Sequence, residues 1–263
     1  MKKKISLVQM DVVFANPKAN RAKVEKMIGE AIKENPDIIC LSETWNVGFF
    51  PKENLDELAD VDGQPAKDIL SRLAKKHKVN IVGGSVANKK DGKIYNTAFV
   101  FNREGECVAE YDKIHGFSPS GEHTYFEGGT KISTFELDGI KAGIIICYDM
   151  RFLELVRMLA LKGIQILFIP AQWPHPRLEH WKTLARTRAI ENQMFVAAIN
   201  GVGTAGDLKF CGNSMVIDPW GEVLVNAGED EKIITAEADF SIVQDIRNRI
   251  NVFRDRKPQY YQL

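Results

Sequence analysis

The sequence has no excess of charge of either sign. Its 263 residues carry 35 Lys and Arg against 35 Asp and Glu, a formal net charge of zero. A chain that grips nucleic acid usually shows a basic excess or stripe, so no nucleic-acid partner is expected. Cysteine is scarce. Cys40, Cys107, Cys147 and Cys211 stand far apart, with no CxxC spacing. Disulfide frameworks belong to small secreted domains, so reduced thiols and a cytoplasmic location are expected. Long apolar runs are missing as well. None approaches the roughly 20 residues of a membrane span, and no membrane partner is expected. Met1-Lys2-Lys3-Lys4 is basic, but the following run, Ile5 to Met10, is interrupted by Ser6 and Gln9 and is short for a signal peptide. Cys147, His115, His123, His175 and His180 could offer metal ligands, yet no HExxH or close Cys/His pairing occurs. No metal or other cofactor is expected. No repeat, low-complexity segment or linker divides residues 1–263, which read as one domain.

With 44% hydrophobic and 27% charged residues, the composition is that of an ordinary globular protein. Lys4 to Met10 alternates as a strand does. Asn16-Pro17 opens a helix with Val24, Met27, Ile28, Ala31 and Ile32 on one face, and Asn35-Pro36 stops it. Asp37 to Leu41 is a continuous apolar run, as in a strand covered on both faces. A second helix is expected around Ala66 to His77, a strand over Val79–Val86, and hairpins at Arg103-Glu104-Gly105 and Asp138-Gly139. Gly116 to Thr130 has no period and reads as a long loop, a length that is often functional. Helices over Leu153–Lys162 and Leu178–Asn192 alternate with further strands up to Ala238, and Ile250 to Leu263 reads as a polar tail. Strands and helices interleave throughout, which implies an α/β domain with a mixed sheet system covered by helices.

The stretch Ile144-Ile145-Ile146-Cys147-Tyr148-Asp149 reads as a buried strand that breaks abruptly into a helix. A cysteine at such an elbow is pushed out over the end of the sheet, as hydrolase nucleophiles are. It could equally be a buried structural thiol. Glu43 and Lys113 also stand just past strand ends, where catalytic groups collect in α/β folds. Alone, Glu43 could be a loop-edge carboxylate and Lys113 a surface lysine beside Glu110 and Asp112. Together, a carboxylate, an amine and a thiol supply a base, an oxyanion partner and a nucleophile.

Leu41-Ser42-Glu43, Tyr111-Asp112-Lys113-Ile114-His115, Cys147-Tyr148-Asp149-Met150-Arg151-Phe152, Arg188 to Asn192 and Ser214 to Gly221 occur in that order. With these motifs the chain resembles the nitrilase superfamily of carbon–nitrogen hydrolases over essentially its whole length. The resemblance implies a four-layer α-β-β-α sandwich that dimerises, with a Glu43, Lys113, Cys147 triad. It also implies a further glutamate after the lysine. Glu122 is placed there by its distance to Gly129, with Glu127 as the alternative. Tyr148-Asp149 after the cysteine points to the amidase branch, and Gln172-Trp173-Pro174 through Trp181 is similar to the ω-amidase type. N-carbamoyl amide hydrolases and amidases of deaminated glutathione are the alternatives within the superfamily, and an inactive binding protein is the alternative outside catalysis. Three residues depart from the family pattern: Gly116, Leu153 and Asn213.

The residue types imply a mechanism. Glu43 takes the thiol proton, sulfur attacks an amide carbon, and the oxyanion is held by Lys113 and the Tyr148 N–H. Water then hydrolyses the thioester. A small carboxylate-bearing amide would need a guanidinium, which offers paired charge-assisted hydrogen bonds. Arg151 and Arg177 are the candidates, with Phe49 and Trp173 walling the pocket. Arg151 could instead pair with Asp149 or Glu154. Arg177 could be a solvated residue, although a cation at a helix start is disfavoured. The tail 250–263, with Val252, Phe253, Tyr260 and Tyr261, is expected to pack at a homodimer interface together with the helix after Cys147.

Overall fold

Side chains of β1 (Lys2–Gln9) alternate between two buried faces: Ile5 and Leu7 join one core, Val8 the other. A period of two is that of a strand, and burial on both faces leaves such a strand no polar side. The same alternation separates Ile38 and Cys40 from Ile39, and Ala98 and Val100 from Phe99 and Phe101. The computed structural model describes residues 1–261.

In chain order, β1, β2 (Ile38–Cys40), β3 (Asp60–Val61), β4 (Asn80–Lys90), β5 (Lys93–Phe101) and β6 (Cys107–Asp112) build a first sheet. β7 (Ser133–Leu137), β8 (Ile140–Ile144), β9 (Ile166–Ala171) and β10 (Phe195–Asn200) begin a second. A small hairpin, β11 (Thr204–Ala205) with β12 (Leu208–Lys209), precedes β13 (Met215–Ile217) and β14 (Val223–Asn226), which complete it. β15 (Lys232–Asp239) returns to pair antiparallel with β1. Each sheet has a parallel centre, β1-β2-β4 and β8-β9-β10, flanked by antiparallel strands. The parallel strands deliver their C-terminal ends to one region, where the site lies.

Helix α1 (Pro17–Ala31) starts where expected. Asn16 caps it by accepting from the Ala19 N–H at 3.1 Å, and proline, which needs no N–H partner, follows. Its Val24, Met27 and Ile28 cover the outer face of the first sheet, beside Leu70 and Leu73 of α3 (Ala66–His77); the four-residue α2 (Leu55–Leu58) lies between the two in sequence. On the other side, Leu155 and Leu159 of α4 (Leu153–Leu161) and Trp181 and Ala185 of α5 (Leu178–Asn192) cover the second sheet. The inner faces share one core, so the layers run α-β-β-α as expected. Each fully buried aliphatic side chain there contributes about 1.5–3 kcal/mol. That core holds the strand ends in place.

Several short elements were not expected from the sequence, among them α2, β3 and the β11–β12 hairpin, nor was one full helix. α6 (Ser241–Arg249) has no side-chain cap, so the usual start signal is missing. The segment from Gly116 to Thr130 is irregular but contains two 3₁₀ turns, Ser118–Ser120 and Glu122–Thr124. In the tail, Phe253 lies between Arg157 and Arg247 of its own chain, with guanidinium-to-ring distances of 5.4 and 5.0 Å. Tyr260 and Tyr261 are exposed, and Gln262 and Leu263 lie outside the described residues.

Candidate active site

Cys147 begins a 3₁₀ turn, Cys147–Arg151, shortly after β8 ends. Its φ of +48° is a left-handed conformation that a side chain rarely adopts, so the elbow is strained in the manner of a nucleophile turn. Asp149 holds that turn. Its fully buried carboxylate accepts from the Ile146 N–H (3.1 Å), the Tyr111 hydroxyl (2.7 Å) and the His115 N–H (3.0 Å), and it lies 2.7 Å from His115 Nδ1. Burial first, then the Asp149 charge, pushes the Tyr111 hydroxyl well above the usual tyrosine range, so it stays a donor. Tyr111 and His115 flank Lys113, so one carboxylate ties the lysine segment to the cysteine elbow.

Lys113 Nζ donates to Glu43 Oε1 at 2.8 Å and to both Glu122 oxygens at 2.8 Å. All three side chains are 3% exposed, so the pairing is desolvated and strong. Burial by itself would lower the Lys113 pKa, but Glu122 and then Glu43 hold it well above the ordinary lysine value. The lysine is therefore a cation. Glu122, placed here by the 3₁₀ turn, also accepts from the Phe117 N–H at 2.7 Å. Glu127 instead pairs with Lys93 at 3.2 Å, outside the cluster. Burial foremost, then Glu43, drives the Cys147 thiol well above the usual range, and Lys113 only partly offsets this. The resting sulfur is a thiol with a carboxylate beside it. Its proton must leave as the sulfur attacks.

Glu43 sits where Gly84 lets the chain pass. A Cβ at Gly84, whose φ is +62°, would stand 2.1 Å from the Ser42 carbonyl oxygen. The carboxylate accepts from the Gln172 N–H at 2.8 Å, and the Gln172 side chain donates to the Glu43 carbonyl (2.8 Å) and to Thr44 Oγ1 (2.7 Å). Gln172 follows β9, so this residue joins the two sheets at the base. Asn96 on β5 donates to Glu43 Oε1 (2.9 Å) and Glu122 Oε1 (3.3 Å). Asn96 was not named from the sequence, and Gln172 was named only as part of the Gln172-Trp173-Pro174 motif, without a role in the cluster. The available signal was a polar residue inside an otherwise apolar buried strand.

A narrow cavity opens above the cluster, lined by Lys113, Glu122, Cys147, Tyr148 and Gln172 together with Phe49, Phe117, Trp173, Pro174, Arg151 and Arg177. Every residue expected to line a pocket from the sequence is here; Phe117, Gln172 and Pro174 are additions. As the second residue of its turn, Tyr148 has an N–H of the kind that finds no partner inside the turn. Arg151 does not pair with Asp149 or Glu154. Its guanidinium lies 4.9 Å over the Trp173 ring and 3.1 Å from His180 Nδ1. Arg177 lies 4.9 Å over the Phe117 ring. Among the described residues neither guanidinium has a carboxylate partner. Burial first lowers the Arg151 pKa from the ordinary arginine value, and the charge of Arg177 adds to that.

A family profile described as carbon-nitrogen hydrolase matches residues 4–248. The chain belongs to that family. It is 45% identical over 261 residues to the 2-oxoglutaramate amidase of Bacillus subtilis (strain 168), covering 99% of this chain and all of that one. It is 33% identical to the human omega-amidase NIT2, covering 98% of this chain and 96% of that protein. A CN-hydrolase superfamily protein from Xanthomonas campestris, crystallised with an arsenic adduct in its active site, superposes with a TM-score of 0.91 at 29% identity over 98% of both chains. In this hydrolase the three departures from the family pattern sit differently. A Cβ at Gly116 would stand 3.0 Å from the His123 N, so the Glu122 turn packs directly on the glycine. Leu153 is a half-exposed first residue of α4. Asn213 adopts φ +52° and bonds the Cys211 carbonyl at 2.7 Å, apart from the triad. No helix among the described residues is long and apolar enough to cross a membrane.

Proposed function

We propose that this hydrolase cleaves the terminal amide of a small carboxylate-bearing substrate such as 2-oxoglutaramate, releasing ammonia through a thioester on Cys147. Glu43 takes the thiol proton as sulfur attacks the amide carbon. The oxyanion is held by the Tyr148 N–H and by Lys113, which turns one of its donors from Glu122 to the new charge; one such donor is worth about 3–4 kcal/mol. Glu43 passes its proton to the departing ammonia, then draws one from the water that hydrolyses the thioester and returns it to the Cys147 sulfur as that sulfur leaves. Glu122 keeps Lys113 charged and aimed.

The single observation that carries the substrate class is the pair of cations at the mouth. Arg151 and Arg177 line the same cavity as Cys147 without a carboxylate partner among the described residues. A substrate carboxylate would supply it. The names of the Bacillus and human relatives agree with this reading. The test is ammonia release from 2-oxoglutaramate, glutamine, N-carbamoyl amino acids, deaminated glutathione, butyramide and simple nitriles. The 2-oxo acid amide should give the highest kcat/KM; no turnover of any ω-amide acid contradicts the assignment.

The protein is further proposed to be a cytoplasmic homodimer, with α4 and the tail at the interface. All four cysteines are free, which suits a reducing compartment. Leu153, Met158 and Leu161 of α4 are 44–53% exposed and Tyr260 is 81% exposed. Such apolar surface is commonly covered by a partner. A monomer mass by light scattering at micromolar concentration would contradict the dimer.

A further inference from the structure

Asn96, which the mechanism has not used so far, touches Glu43, Glu122 and Lys113 and is 1% exposed. Its backbone carbonyl accepts from the Lys113 N–H at 2.9 Å, so it seats the lysine. Its side-chain Nδ2 donates to Glu43 Oε1 at 2.9 Å and to Glu122 Oε1 at 3.3 Å, the same two oxygens that Lys113 Nζ approaches at 2.8 Å. The two carboxylates thus share one ammonium and one amide. With both hydrogens directed at carboxylates, the orientation of that amide is settled. The consequence is that Asn96 Oδ1 is buried with no hydrogen-bond partner among the described residues. What the amide supplies at this position is two hydrogen bonds to carboxylates that are buried and must be matched inside the protein.

We propose that Asn96 is a positioning residue, which holds Glu43 and Glu122 at a common setting around Lys113 and keeps Glu43 ready to accept the thiol proton. This rests on the reading of Glu43 as the base. Five groups face the Glu43 carboxylate. The Lys113 ammonium, the Gln172 N–H and the Asn96 amide donate to it, and Glu122 and the Cys147 thiol lie beside it. Taking away a donor to a carboxylate favours its protonated form. A protonated Glu43 cannot accept from sulfur, so the low-pH limb of activity should climb.

The test uses Asn96→Leu, which keeps the volume and removes both the donor and the unmet acceptor. With whichever amide the wild type hydrolyses, kcat should fall by about a hundredfold with KM within about threefold, and the low-pH limb of kcat/KM should move up by about one pH unit, a tenfold change in the proton equilibrium. Thermal stability is read alongside, because losing the donor to two buried carboxylates destabilises while losing the unmet acceptor stabilises. A kcat within about threefold of wild type with an unmoved limb overturns the proposal. So does a fall in kcat that tracks lost stability while the limb stays put, since that is the mark of a structural residue. If Asn96→Leu does not fold, Asn96→Asp is read the same way; it is isosteric and adds a third carboxylate, so its limb should move further. A wild type that turns over no amide would instead sink the amidase reading. The two failures are therefore distinct.

Discussion

The floor and the mouth of the same cavity are built on opposite electrostatic plans. On the floor, Glu43, Lys113 and Glu122 are buried, mutually paired within 2.8 Å, and cross-braced by Asn96 and Gln172. At the mouth, Arg151 and Arg177 are half-exposed, lie over aromatic rings, and have no carboxylate partner among the described residues. A buried charge must be matched by the protein itself, because an unmatched one costs several kcal/mol. A half-exposed cation can wait for its partner in water. On the proposed function, the floor serves chemistry common to any amide and the mouth selects one that brings an anion.

Breaking the floor should abolish turnover whatever the substrate. Cys147→Ala should lose at least about a thousandfold in kcat on acidic and neutral amides alike, as the loss of a catalytic nucleophile does. Residual turnover above about one per cent of wild type would remove Cys147 as the nucleophile.

The floor at rest should show a smaller effect, in the pH dependence of thiol alkylation. A thiol held well above its usual range by burial and by Glu43 is almost all protonated at neutral pH. Raising the pH raises the thiolate fraction, and the thiolate is what iodoacetamide attacks. Exposed Cys107 would also react, so the measurement belongs in a Cys107→Ser background. Alkylation of Cys147, followed by intact mass, should accelerate about tenfold per pH unit between pH 7 and 9 with no plateau. A plateau below pH 7 would mean a preformed thiolate.

The floor was far more legible in the sequence than the mouth. Glu43, Lys113 and Cys147 each follow a strand, and three separated motifs in order carry them together. Glu122 was reached through the spacing to Gly129, and the structure places it on Lys113. The roles of Asn96 and Gln172 escaped because their partners lie tens of residues away. An amide in a strand announces nothing until the two sheets meet. At the mouth, the alternative pairing of Arg151 with Asp149 was open because the two are neighbours in sequence. It fails because Asp149 is fully occupied by Tyr111, His115 and the Ile146 N–H. α6 went unread for a local reason, its uncapped start.

On the proposed function the mouth selects a carboxylate that the floor does not see. The most direct measurement is kcat/KM of wild type and Arg177→Met on 2-oxoglutaramate and on butyramide. Removing one partner of a desolvated charge pair costs roughly 2–5 kcal/mol, and about 1.4 kcal/mol is a decade. Arg177→Met should lower kcat/KM for 2-oxoglutaramate by at least about thirtyfold, mostly through KM, and change butyramide turnover by much less. Equal losses on the two substrates would make Arg177 structural and contradict the division between floor and mouth.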